Sequence, residues 1–369
     1  MNRLFGWKQT GVFLLALAAG ILPFAVPEVC AAALREGLTL CSGPLLLSLF
    51  PFLVVSRLLI QCPESDLLAL PFRLAAWGIG IRTPCAARVL CIGFLGGFAP
   101  AASAAAQAVR TGQLTAEEAD ALLPACICSG PSFVVLTVGQ SLLGSAELGV
   151  LLFASQITAN YLTAALLNRF AGVRSVKPGS AAPASPAPPR LDEILADAAI
   201  TYCKLCGFIL FFRMLAAGAG ALLPAGAGTL CAILLEVCSG CDLASRTGRW
   251  GSLLCCAALS VQGLSVLLQV RTICPPEMTL RPLYRSRMLH LPLSLALFYL
   301  LLPGGEADVF STLSARVLLM RRVPPDCALL VFAVCCMAAC TLRSGIRQVE
   351  QKQMARNAGG CCINSKTLL

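Results

Sequence analysis

Charge is scarce in this chain and histidine nearly absent: 12% of the 369 residues are Asp, Glu, Lys or Arg, and His290 is the one histidine. Soluble domains carry about 25% charged residues. So thin a polar complement cannot cover a water-facing surface of this size. A single histidine leaves Ser/His, Cys/His and histidine-metal chemistry with at most one participant. HExxH, GxSxG and P-loop patterns are also missing, so neither an enzyme nor a cofactor or metal is expected. The net charge of +10 comes without a basic stripe interleaved with aromatics, which argues against nucleic acid as a partner.

What the chain has is apolar surface: 57% of its residues are hydrophobic and the mean hydropathy is +0.81. Lipid is the solvent that suits such a composition. At about 20 residues per helical crossing, the apolar runs supply roughly eight to ten membrane segments. The fold class expected is therefore all-α, a polytopic helix bundle that passes the cytoplasmic membrane several times; self-association into a homo-oligomer is compatible with it. Basic residues cluster between the runs, at Arg169 to Arg190, Arg281 to Arg287 and Arg343 to Lys366. That is the distribution of loops kept on the cytoplasmic side. The 21 cysteines lie mostly inside apolar runs, where Cys serves as a small packing residue. Cys203/Cys206 and Cys238/Cys241 form CxxC pairs, for which a redox or metal role is the rival reading.

Along the chain, Gly11 to Ala33 reads as an uncleaved first membrane segment, with a cleaved signal as the alternative. Leu38 to Ile60 carries Gly43-Pro44 and Pro51, and reads as broken or re-entrant. Leu67 to Ile81 suits the interface. Ala87 to Val109 is rich in small residues that let helices approach closely. Thr115 precedes Glu117, Glu118 and Asp120 like a helix N-cap. Spans at Ala121 to Gly144 and Ala146 to Phe170 complete a first half, residues 1–170. A Pro/Ala/Ser linker follows over 171–190, then a second membrane half over 191–345 and a basic tail over 346–369. The linker and tail are expected on the cytoplasmic side.

The halves resemble one another. Leu49 to Leu59 aligns with Leu205 to Leu215, sharing Leu, Phe and Arg, with Pro51 and Gly207 as matching helix breakers. Cys128 to Phe133 aligns with Val261 to Val266, sharing Gly and Ser. Paired halves with interrupted helices point to a transporter whose site lies between them, the repeats in that architecture being inverted. Generic packing by small residues is the plainer reading.

Three stretches of the first half and three of the second carry a further resemblance. They are Gly97 to Ser103, Thr111 to Ala119, Ser129 to Phe133, Glu236 to Gly240, Gly263 to Val270, and Arg281 to Tyr284 with Arg287 to His290. In this order they resemble the sporulation integral membrane protein family of YlbJ type, which carries the nucleoside-recognition (Gate) domain. The resemblance implies a role in endospore formation and an architecture similar to concentrative nucleoside transporters. It also implies movement of a small anionic metabolite, dipicolinate. A nucleoside transporter-like protein and a non-transporting scaffold are the alternatives.

Polar groups inside apolar runs are the candidate site residues. Glu236 would bind a proton or cation, or else end a helix at the interface. Arg57 and Arg213 would pair with a substrate carboxylate, or snorkel to headgroups. Ser129, Gly130, Ser132, Ser239, Gln262, Gly263, Ser265 and Gln269 would meet substrate at the breaks, or serve as interhelical contacts. Glu28 and His290 read as interfacial.

Overall fold

The computed structural model describes residues 2–61, 65–171 and 190–302, and every regular element within them is a helix. The interior of the linker, residues 303–345 of the expected second membrane half and the basic tail lie outside the described residues. The cytoplasmic placement expected for linker and tail falls there too.

Helices α1 (Asn2–Ala25) and α2 (Pro27–Ser42) meet at a bend of 108°. The bend follows from Pro27, which starts α2 and pushes the preceding Val26 out of the helical region, to φ −139 and ψ 63. The expected first span is thus two helices at an angle. Gly43, at φ −112 and ψ −103, separates α2 from α3 (Pro44–Gln61). The break expected in Leu38 to Ile60 is present at Gly43-Pro44, whereas Pro51 lies inside a continuous α3. Two short helices, α4 (Ser65–Leu68) and α5 (Leu70–Gly78), leave Leu67, Leu68, Leu70, Leu74 and Trp77 exposed. A large apolar surface of this kind suits lipid contact.

The rest of the first half runs α6 (Pro84–Gly96), α7 (Phe98–Arg110), α8 (Ala116–Cys126), a π-helix π1 (Ser132–Leu142) and α9 (Ala146–Ala171). The second half runs α10 (Leu191–Leu222), α11 (Ala225–Leu235), α12 (Val237–Ser245), α13 (Gly251–Val261), α14 (Gly263–Ile273) and α15 (Arg281–Leu301). The same order appears twice. A long helix (α3, α10) leads to two arms packed against each other (α6 with α7, α11 with α12). A helix carried through a break then follows (α8 into π1, α13 into α14), and then another long helix (α9, α15). Helices α9 and α15 pack together, and π1 crosses α9 where Gly139 meets Gly149. Only small residues allow backbones so close.

Among the described residues, three helical runs are long and apolar enough to cross a membrane: α9, α10, and Gly248–Ile273, which contains α13 and α14. The bent pair α1–α2 makes a fourth if counted as one span. The eight to ten crossings expected from composition are therefore not eight to ten continuous helices. Most of the remaining apolar runs are cut near their middle into pieces such as Pro84–Gly96 and Ala225–Leu235. The break expected at Gly207 is also absent: α10 is continuous there, and a methyl group on Gly207 would meet nothing within 4 Å.

Polar caps fix the ends of α8 and α15. Thr115 and Glu118 form a reciprocal capping box at the start of α8, as the sequence suggests. Asp120 is buried at 6% exposure and accepts from the Thr279 amide (2.8 Å), the Thr279 hydroxyl (2.6 Å) and the Leu280 amide (3.1 Å). It thereby holds Leu280 in the left-handed conformation that launches α15. Asp120→Ala is expected to lower stability by about 3 kcal/mol, because three donors lose a charged acceptor. Thermal unfolding in detergent checks this, with the exposed Glu117→Ala as the variant expected to change little. Equal losses from the two would refute it.

Candidate functional site

Four helix breaks meet in two crossings. In the first half, Gly97 joins the arms α6 and α7 at φ +80, and a Cβ there would lie 2.6 Å from the Gly130 amide nitrogen and 3.2 Å from the Cys128 carbonyl. In the second, Gly263 takes φ +71, and a Cβ would lie 2.9 Å from the Glu236 amide nitrogen and from the Leu235 carbonyl. In each half, the tip of the packed arms therefore rests on the break of the continuing helix. Glycine is required at both contacts because backbone, not a yielding side chain, occupies the space.

The crossings are joined. Gln262, itself left-handed at φ 62 and 1% exposed, donates through Nε2 to the Ile127 carbonyl at 3.3 Å. The Gln262 turn thus reaches, across the halves, the Ile127 carbonyl just ahead of the Ser129–Ser132 turn. Beside them is a cavity of about 60 Å³, lined from the breaks by Ser129, Gly130, Ser132, Glu236 and Gln269. Leu49 and Phe52 of α3, Phe98 of α7 and Ile209 of α10 form its apolar side. That volume holds a few waters.

Glu236 is 2% exposed and caps α12, accepting from the Cys238 amide (2.8 Å) and the Ser239 amide (2.7 Å). This carboxylate neutralises the positive end of α12. It stands at a helix end, as the plainer expectation had it, but buried where α11 passes into α12. The starts of α7, π1 and α14 have no side-chain cap. Gln269 donates to the Ser265 hydroxyl at 3.0 Å, while its Oε1, the Gln262 Oε1 and the Ser239 hydroxyl have no partner. Unsatisfied buried atoms of this kind call for a ligand or water.

Five of the eleven candidate residues line the cavity, and Ser239, Gln262, Gly263 and Ser265 stand directly behind them. The two arginines do not belong to it. Arg57 pairs with Asp197 at 2.6 Å and also reaches Ser103 at 3.1 Å, while Arg213 pairs with Glu36 at 2.6 Å. Both acids are exposed, at 60% and 66%. On α10, Asp197 and Arg213 stand about 24 Å apart, near the thickness of a bilayer core. The arginines thus staple α10 to α3 and α2 at two levels. His290, expected near a span end, is buried at 1% exposure and contacts the Gln156 carbonyl at 3.2 Å. Phe98 and Cys238, which line the cavity, were not legible as site residues in the sequence. The Gly96-Gly97 step was the signal for Phe98.

No protein-family model, curated protein or solved structure matches the chain. The geometry of the breaks is therefore what bears on function, and it bears first on membrane embedding. Non-helical backbone at membrane depth is tolerated only inside protein or beside a cavity. Here each of the four breaks in the two crossings is covered by another break or borders the cavity.

Proposed function

We propose that the protein is a membrane transporter of alternating-access type, with the joined crossings as its substrate site. The observation that carries this reading is the pair of break-on-break contacts, Gly97 on Gly130 and Gly263 on Glu236, beside one cavity. Interrupted helices from two repeated halves are the usual construction of such a site. The substrate we infer is a small anionic metabolite of dipicolinate type. The uncapped starts of π1 and α14 offer N–H groups to carboxylate oxygens. The sequence resemblance to the sporulation family supports the same substrate and a cytoplasmic-membrane setting. A nucleoside is the second reading. Glu236 and the unpartnered Gln269 Oε1 favour it, since both accept hydrogen bonds that sugar hydroxyls donate.

Purified protein in liposomes, offered labelled dipicolinate and labelled nucleoside in parallel, separates the readings. Dipicolinate uptake is expected, reduced about tenfold by Ser132→Ala and by Gln269→Leu, the loss of one or two ligand hydrogen bonds. Uptake of nucleoside alone would move the assignment to the second reading. Folded protein that moves neither would leave a scaffold.

A further inference from the structure

Behind the crossings, α15 packs against α8, α9 and α13, and the contact holds a buried arginine. Arg287 is 8% exposed, yet among the described residues no carboxylate lies within 4.0 Å of it. Its Nε donates to the Ser286 hydroxyl (3.2 Å), one Nη to Asn160 Oδ1 (3.1 Å) and the other to the Ser260 carbonyl (3.4 Å). All three acceptors are neutral. A buried cation so placed needs its charge offset from elsewhere.

The backbone supplies part of that offset. Ser260 lies in the last turn of α13, which ends at the Gln262 break, so its carbonyl has no helical donor of its own. The same helix α15 also packs against α8, which ends at Cys126. A helix C-terminus carries about half a negative charge. The α13 end therefore offsets about half of the Arg287 charge, and the Asn160 and Ser286 oxygens complete its acceptor set, without any acid.

We propose that Arg287 is a tethered cation. It fills a position at the half-helix end of α13, against an unwound carbonyl, of the kind at which transporters built from broken helices hold a coupling cation. The class of ligand the position takes is thus a monovalent cation, and this chain provides it from α15. Asn160, 0% exposed and with Nδ2 unpartnered, orients the guanidinium from α9. The chain then requires no free Na+ there to hold the end of α13. The inference concerns the fold of the breaks and stands apart from the question of substrate.

Thermal unfolding of the full chain in detergent tests it without any transport assay. Arg287→Lys keeps the charge, and Arg287→Gln keeps donors while losing it. The Gln variant is expected to lose roughly 5–10 °C in Tm and the Lys variant about half as much. Arg287→Gly is expected to regain Tm when guanidinium chloride is added at low millimolar concentration, whereas choline chloride has no effect. The parent should respond to neither salt nor to exchange of Na+ for choline. A Gln variant as stable as the Lys variant overturns the proposal. So does a Gly variant that neither guanidinium nor Na+ shifts more than choline does. Should the Gly variant yield no folded protein, the Lys-against-Gln comparison decides alone.

Discussion

Glu236→Ala is expected to abolish flux and to lower stability by about 3 kcal/mol. The carboxylate is buried and accepts from two successive amides, those of Cys238 and Ser239. Without it both N–H groups are left at the start of α12 with no acceptor from this chain, and each orphaned donor costs about 1–3 kcal/mol. Loss of the negative charge beside a helix N-terminus adds about half a kcal/mol more. Glu236→Gln keeps the shape but offers one acceptor oxygen where two are used, so its loss should fall near half that of Ala. Glu28→Ala is the comparison: that residue is exposed in the first turn of α2 and should move Tm by little. Thermal unfolding gives the stability arm and liposome flux the transport arm. A Glu236→Ala protein within about 0.5 kcal/mol of the parent would show that the cap does not hold the break.

Several features of the fold were readable from local chemistry. Gly43-Pro44 announces the break before α3 because proline lacks the donor that a helix start leaves unused, whereas Pro27 lies inside what reads as one segment. Thr115 with Glu118 announces α8 because both halves of a capping box are side chains at fixed spacing. The alignment of Cys128–Phe133 with Val261–Val266 also named two segments that do interrupt helices.

The tips of the arms were not readable. Gly96-Gly97 stands in a run of small residues that satisfies an ordinary helix contact equally well. Glu236 is not among the favoured N-cap types, so its capping role appears only once α11 is seen to end at Leu235. Gln262 rarely takes positive φ, and nothing local marks it. Arg57 and Arg213 find acids 140 and 177 positions away, pairings that only the path of α10 brings about. Hydropathy counted apolar residues correctly and overcounted continuous spans, because it does not register where the backbone stops hydrogen-bonding to itself.

The break-on-break contact itself is testable with glycines that differ in what surrounds them. At Gly207 the helix is regular and a methyl group meets nothing, so Gly207→Ala is expected to stabilise by about 0.5–1 kcal/mol. At Gly112 the conformation is left-handed, φ +70, but the space is again open, so Gly112→Ala should cost only the conformational term, about 1–2 kcal/mol. Gly97 has both burdens. Its φ of +80 carries the same conformational cost, and its Cβ would meet the Gly130 amide at 2.6 Å, closer than any side chain can be accommodated. The obstacle is backbone, so relief requires α6–α7 to lift from the α8–π1 break and take one wall of the cavity with it. Gly97→Ala is therefore expected to cost more than about 4 kcal/mol, the range in which marginally stable proteins fail to fold. Yield of monodisperse protein after detergent extraction, with Tm where it can be measured, should rank Gly207→Ala above the parent, then Gly112→Ala, then Gly97→Ala. If Gly97→Ala proves no worse than Gly112→Ala, the two breaks do not touch, and the site between them is not the one described.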